Sequence, residues 1–111
     1  MTDQSQQRKF KLMADYECWP VWETTGGEFC NLDPQLLGLS DALVNRIEAW
    51  ADLYDATLQS DDPAASDFTN ETDRLSFEHE GLTIWWAMQL ALPDAEISYF
   101  SELFQRLYTP Q

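Results

Sequence analysis

The chain is 111 residues long, 44% hydrophobic and 14% aromatic, which is enough apolar material for the core of one domain. Its 20 acidic residues outnumber 6 basic ones and leave a net charge of −14, a field that repels nucleic acid and anionic membranes and steers cationic partners. No run of about 20 apolar residues is present, so no transmembrane helix is expected.

The opening M-T-D-Q-S-Q-Q-R-K-F lacks the apolar segment of a signal peptide, and the expectation is a cytoplasmic protein with Cys18 and Cys30 reduced. Residues 1–8 are expected to form a flexible N-terminus and residues 9–111 a single α+β domain. The charge is uneven. Residues 1–11 hold Arg8, Lys9 and Lys11 against Asp3, a balance of +2, so the remainder carries −14 − 2 = −16.

From Lys9 to Cys18 the sequence alternates. Phe10, Leu12, Ala14, Tyr16 and Cys18 share one face, and Lys9, Lys11, Met13, Asp15 and Glu17 the other, the period of a half-buried strand. Pro20 cannot donate to a ladder and ends it. Val21 to Thr24 reads as a second strand, Thr25-Gly26-Gly27 as a turn and Glu28 to Asn31 as a third strand, with Trp22 and Phe29 as cross-strand aromatics. Cys18 and Cys30 then fall on neighbouring strands, where a disulfide is geometrically open but two cysteines alone do not decide it.

Asp33 and Pro34 have the chemistry of a helix cap and first position, and Gly38 closes the single turn that follows. Ser40 caps a long helix from Asp41 to about Gln59. Leu43, Ile47, Trp50, Tyr54 and Leu58 form its buried face. Its opposite face carries Asp41, Asn45, Glu48, Asp52, Asp55 and Gln59 at spacings of three and four, with no lysine among them. Such a stripe is either a solvated face or a docking surface for a basic partner.

Ser60 to Asn70 reads as a loop that extends the acidic stripe through Asp61, Asp62 and Asp67. A cap at Asn70 or Thr72 opens a second helix, from about Asp73 to Leu92. Phe77, Gly81, Ile84, Met88 and Ala91 mark its core stripe, which Leu82, Trp85 and Trp86 widen, so this helix is expected to be the most buried. Glu96 to Ser101 is a last strand, and Ser101 caps a final short helix from Glu102 to Tyr108. The whole is α+β: a small mixed β-sheet of about four strands packed against two long helices plus a short C-terminal helix. The helical connection allows the last strand to lie parallel beside the first.

No motif fixes a chemistry. The lone histidine, His79, has Glu78 and Glu80 as sequence neighbours that face away from it on a helix and Leu75 and Thr83 on its own stripe, and it reads as a surface residue. Cys18, Cys30 and His79 have no metal-ligand spacing, Gly26-Gly27 lacks the context of a phosphate-binding loop, and Asp61-Asp62 lacks that of a calcium loop. No catalytic residue, metal site or cofactor is expected. Trp50, Trp85 and Trp86 read as core. Trp19 and Trp22 flank Pro20 at a strand bend, where exposed tryptophan favours interfaces.

The segment Lys11-Leu12-Met13-Ala14-Asp15-Tyr16, with Cys18, Pro20 and Trp22, resembles the first strand of small bacterial proteins of the form K-L-M-A-D-Y-x-C-x-P-L-W. Val21 departs from the usual leucine. Asn31 to Pro34, Tyr54 to Leu58, Asp61 to Pro63 and Phe77 to Gly81 extend the likeness over most of residues 9–100. Proteins of this kind resemble the immunity partners of contact-dependent inhibition and other polymorphic toxin systems. The resemblance implies a small acidic cytoplasmic inhibitor that binds a cognate toxin domain, often a cationic nuclease. In that reading Glu48, Asp52, Asp55, Asp61 and Asp62 steer the basic partner, with Trp22 as an aromatic anchor. Two other readings stand beside it. One is a small enzyme or ligand-binding domain that uses Asp15, Tyr16 and Glu17 at the edge of the first strand; the other is a subunit of a larger complex.

Overall fold

The computed structural model describes residues 7–57 and 71–110. Leu58, Gln59, the acidic loop with Asp61, Asp62 and Asp67, and the Asn70 cap lie outside the described residues. In chain order the elements are β1 (Lys9–Leu12), β2 (Val21–Glu23), β3 (Cys30–Leu32), α1 (Asp41–Asp55), α2 (Glu71–Ala91), β4 (Glu96–Ser101) and β5 (Arg106–Tyr108). Short 3-10 turns occupy Thr25–Gly27 and Pro34–Leu37. The strands form one sheet in the order β3-β2-β1-β4-β5.

β1 is the middle strand. It pairs antiparallel with β2, setting Leu12 opposite Val21, and parallel with β4, setting Phe10 opposite Ile97 and Leu12 opposite Tyr99. The alternation of β1 and β4 turns Phe10, Leu12, Ile97 and Tyr99 to the helices, where they pack with Ile47, Trp50, Phe77, Ile84 and Met88. Leu12, Ile47, Ile84, Met88, Ile97 and Tyr99 lose all contact with solvent. Each such side chain contributes about 1.5–3 kcal/mol of transfer free energy.

β1 is shorter than the alternation predicts. Ladder pairing stops at Leu12, although the Met13 amide still donates to the Pro20 carbonyl at 2.8 Å. The Asp15 carboxylate accepts from the Tyr16 amide, Glu17 takes a left-handed φ of 61°, and the chain turns rather than extending to Cys18. β3 starts later than predicted, at Cys30. Gly26 and Gly27 use positive φ in a longer turn, and Phe29 stays outside the ladder while stacking on Trp22 at 4.7 Å.

The capping signals translate directly. Asp33 accepts from the Gln35 amide at 2.9 Å, Gly38 is left-handed, and the Ser40 hydroxyl accepts from the Leu43 amide. α1 ends before the predicted Gln59. The Thr57 amide and hydroxyl both bond to the Tyr54 carbonyl, and the same hydroxyl meets Tyr16, which pins the helix end to the β1–β2 turn.

Two expectations are corrected. The predicted C-terminal helix is a tight turn followed by β5. Ser101 does accept from the Phe104 amide, but Gln105 takes a φ of 53° and returns the chain antiparallel along β4, where Tyr108 stacks beside Tyr99. The ladder and the tyrosine stack outweigh the helical spacing of Leu103, Phe104, Leu107 and Tyr108. Among the described residues the sheet therefore has five strands rather than about four.

The second correction concerns α2, whose core stripe of Phe77, Gly81, Ile84 and Met88 is buried but whose width is not. Trp85 is partly buried and donates to the Ile97 carbonyl at 2.7 Å, whereas Trp86 is 64% exposed. Among the described residues only one layer of helices covers the sheet, and none of them packs over the exposed Trp86.

α2 approaches β4 closely because residue 81 is glycine. A Cβ there would lie 2.5 Å from the Tyr99 hydroxyl and 2.8 Å from Cζ2 of Trp50. Tyr99 is held by Glu78, and Trp50 by its bond to the Phe77 carbonyl and its stack on Phe77, so neither ring can yield freely. Gly81→Ala is therefore expected to destabilise the fold. Overpacking costs about 1–3 kcal/mol, against a gain of up to about 1 kcal/mol in helix propensity. Urea unfolding checks this; a midpoint equal to or above that of the parent would refute the close approach.

Candidate partner-binding site

The turn after β1 and the exposed side of α1 enclose a cleft of about 480 Å³. Glu17, Cys18 and Trp19 form one wall, Glu48, Asp52 and Asp55 the other, with Ala51 and Pro20 between them and Asn31 at the β3 side. Four carboxylates thus face one volume, and no basic residue is among those lining it.

The cleft is built from hydrogen bonds that the local sequence supplies. The Glu17 amide donates to the Asp55 carboxylate at 2.9 Å and fastens the turn to α1. Tyr16 stacks on Tyr54 at 4.5 Å and its hydroxyl meets the Thr57 hydroxyl at 3.0 Å, a second fastening at the same helix end. Burial, then the neighbouring Glu102 and Tyr16, push the Tyr54 hydroxyl well above the ordinary tyrosine range, so it is neutral at physiological pH. Asn31 holds the far side. Its side-chain amide donates to the carbonyls of Trp19 and Val21, and its oxygen accepts from the Trp19 amide. Trp19 is fixed at the backbone while its indole remains 46% exposed at the rim.

The field inside is negative. The Cys18 thiol is pushed up from its ordinary pKa, first by partial burial and then by the carboxylates of Asp15, Asp55 and Glu17. This thiol is protonated and a poor nucleophile at neutral pH. Cys18 sits in the turn and Cys30 on β3, both as free thiols.

The structure brings Glu48, Asp52 and Asp55 together in this cleft, while Asp61 and Asp62 lie outside the described residues. Trp22 lies elsewhere. It is 9% exposed, donates to the Met13 carbonyl and stacks under Phe29 on the sheet side opposite the helices. Its neighbour Trp19 is the indole at the cleft. The two tryptophans are distinguished by the turn at Glu17, which strand alternation does not reveal. Asp15, Tyr16 and Glu17 join the same region, where Asp15 Oδ1 accepts from the Tyr16 amide and the Tyr16 hydroxyl meets Thr57 at the end of α1.

Glu78 was not singled out by sequence, yet it is 5% exposed. Its Oε1 accepts from the hydroxyls of Tyr99 and Ser101, both at 2.9 Å, and its Oε2 has no partner. The signal was the alternation that puts Tyr99 and Ser101 on the helix-facing side of β4, opposite the glutamate. His79 is exposed on α2. Among the described residues no group of three or more His, Cys, Asp or Glu is placed to hold a metal ion, and no helix is long and apolar enough to cross a membrane.

The model of the Serratia CdiI immunity protein-like family matches residues 8–102, from the residue before β1 to the residue after β4, and the chain belongs to that family of contact-dependent inhibition immunity proteins. No curated protein matches the chain.

The negative field has a measurable consequence at Cys18. Asp55→Asn keeps an acceptor for the Glu17 amide but removes a charge that raises the thiol pKa. In a Cys30→Ala background, the pH profile of alkylation by iodoacetamide is expected to move to lower pH than in the same background with Asp55 intact. An unmoved profile would contradict the shared field.

Proposed function

We propose that the chain neutralises a cognate toxin domain by binding it, without turnover, and that the cleft between the β1–β2 turn and α1 is where a basic segment of that toxin docks. Membership of an immunity-protein family supports the neutralising role. The observation that carries the docking site is the convergence of Glu17, Glu48, Asp52 and Asp55 on one cleft, with a half-exposed Trp19 at its rim and no basic residue lining it.

The physical division of labour follows from exposure. Asp52 and Glu17 are exposed and act at long range, raising the encounter rate with a cationic surface and fixing its orientation. Trp19, held by Asn31 at amide and carbonyl, is a rigid aromatic anchor whose indole stacks on a guanidinium or ammonium entering the cleft. A toxin of the nuclease class must itself be cationic where it grips nucleic acid. An acidic inhibitor seated there occupies the substrate groove. The encounter takes place in the cytoplasm, where such a substrate lies.

The reading as an enzyme or small-ligand domain using Asp15, Tyr16 and Glu17 has less behind it. Asp15 and Tyr16 serve the turn, and the Glu17 amide serves the junction with α1.

Binding of the purified cognate toxin domain, measured by surface plasmon resonance, tests this reading. Glu48→Lys combined with Asp52→Lys leaves the Asp55–Glu17 bond intact and is expected to weaken binding at least about tenfold at about 50 mM salt, mainly through slower association. Trp19→Ala is expected to act on the other rate, raising dissociation about tenfold or more. In cells producing the toxin, both variants should protect growth less well than the parent. Unchanged rates for both variants would place the interface elsewhere.

A further inference from the structure

One wall of the cleft is a turn that contains a backbone conformation its residue disfavours. Glu17 has a φ of 61°, in the left-handed region, where a Cβ crowds its own backbone. Such a residue keeps its shape only when surrounding contacts overdetermine it. The far end of the turn is fixed at Trp19 by Asn31, and at Pro20, whose carbonyl accepts from the Met13 amide. Glu17 itself is tied by the bond from its amide to Asp55, and that bond is exposed, where water competes for both partners.

A better shielded contact lies one residue earlier. The Tyr16 hydroxyl is 3.0 Å from the Thr57 hydroxyl, and Thr57 is only 9% exposed. The direction of that bond follows from the protons available. Thr57 has one hydroxyl proton and gives it to the Tyr54 carbonyl at 2.7 Å, so it accepts the proton of Tyr16. A relay results, from Tyr16 through Thr57 to the backbone of α1, in which each bond polarises the next. The Tyr16 ring also stacks on the Tyr54 ring at 4.5 Å, so ring and hydroxyl are held by the same helix turn.

We propose that Tyr16 and Thr57 are positioning residues of the cleft, a latch that holds the strained Glu17 turn against the end of α1. With the latch closed, Glu17 and Trp19 stand across from Glu48 and Asp52 before any partner arrives. With it open, only the exposed Asp55 bond restrains Glu17, and the turn is free to leave its left-handed conformation. The latch thereby acts through Glu17 and Trp19 and touches no partner itself. Its purpose, though not its existence, rests on the docking role proposed for the cleft: a preformed wall spares the incoming toxin segment the cost of ordering the turn.

Amide exchange of the free full chain, read residue by residue by NMR, tests the latch. Thr57→Val keeps the shape of the side chain and removes its hydroxyl, and Tyr16→Phe keeps the ring stack and removes the other hydroxyl. Each is expected to speed exchange of the Glu17 amide at least about fivefold, the size of one net hydrogen bond. Thr57→Ser restores the hydroxyl and should stay within about twofold of the parent. Because the relay is one unit, the double variant Tyr16→Phe, Thr57→Val should exchange no faster at Glu17 than Thr57→Val alone. Ile84→Val, in the core beneath α2, controls for general loosening: it should lower the urea midpoint and leave Glu17 within about twofold of the parent. Unchanged exchange at Glu17 in Thr57→Val or in Tyr16→Phe overturns the inference. So does equal loosening by Thr57→Ser, which would assign the effect to packing, and so does equal loosening by Ile84→Val, which would mean that the turn opens only with the whole fold. The exchange is read without toxin, so its outcome is independent of where the toxin docks, which the Glu48→Lys, Asp52→Lys binding rates test separately.

Discussion

The pairing of Phe10 with Ile97 and of Leu12 with Tyr99 is the constraint from which the rest of the architecture follows. A parallel pair cannot be closed by a hairpin. After β3 the chain must leave the sheet and return on the other side of β1, and both long helices lie on that path. Because β1 also pairs with β2 on its other side, the chain has to reverse within the few residues after Leu12. That reversal forces Glu17 into a left-handed conformation, and the Asp55 carboxylate holds it there. The cleft is thus a by-product of topology: a tight turn at the end of the central strand, facing the last turns of the helix that crosses over it.

Much of this was legible in the chain. Asp33-Pro34 with Gly38, and Ser40 before the α1 periodicity, are capping chemistries that act through adjacent residues, so sequence suffices to place them. β4 was legible for the same reason, since its period of two survives unaltered from Glu96 to Ser101. What was not legible depends on partners distant in sequence. Leu103, Phe104, Leu107 and Tyr108 have helical spacing, and only the free edge of β4 and the ring of Tyr99 convert them to a turn and a strand. Trp19 and Trp22 look equivalent around Pro20 until the turn separates them, one to the cleft and one beneath Phe29. Nothing in the sequence around Glu78 marks it as buried, and only the placement of Tyr99 and Ser101 makes it so. The outward side of α2 looked like core because apolar pattern reports a wish to be buried, not what is available to bury it.

Two surfaces of opposite chemistry result. On one flank of α1 the carboxylates of Glu48, Asp52 and Asp55 face Glu17 across an open cleft; on the outward side of α2 an uncharged stripe ends in Trp86 and Leu90. The separation suits the docking of a basic toxin segment proposed for the cleft. In that proposal the charge gathered at the cleft speeds encounter, whereas the second half of α2, from Gly81 to Ala91, carries no Asp, Glu, Lys or Arg. The concentrated acidity also has a cost within the fold, since like charges along α1 oppose helix formation by a few tenths of a kcal/mol per pair. Asp55 repays part of that cost by fastening the Glu17 turn, and the proposed docking role accounts for the remaining acids of the stripe.

The most direct measurement of the central claim is amide hydrogen exchange of the free chain and of its complex with the cognate toxin domain. The cleft account predicts that protection on binding concentrates in the amides of Tyr16 to Trp19 and in α1 from Glu48 to Asp55. Protection confined to β5 or to the outward residues of α2, with the amides of Tyr16 to Trp19 exchanging as in the free chain, would contradict it.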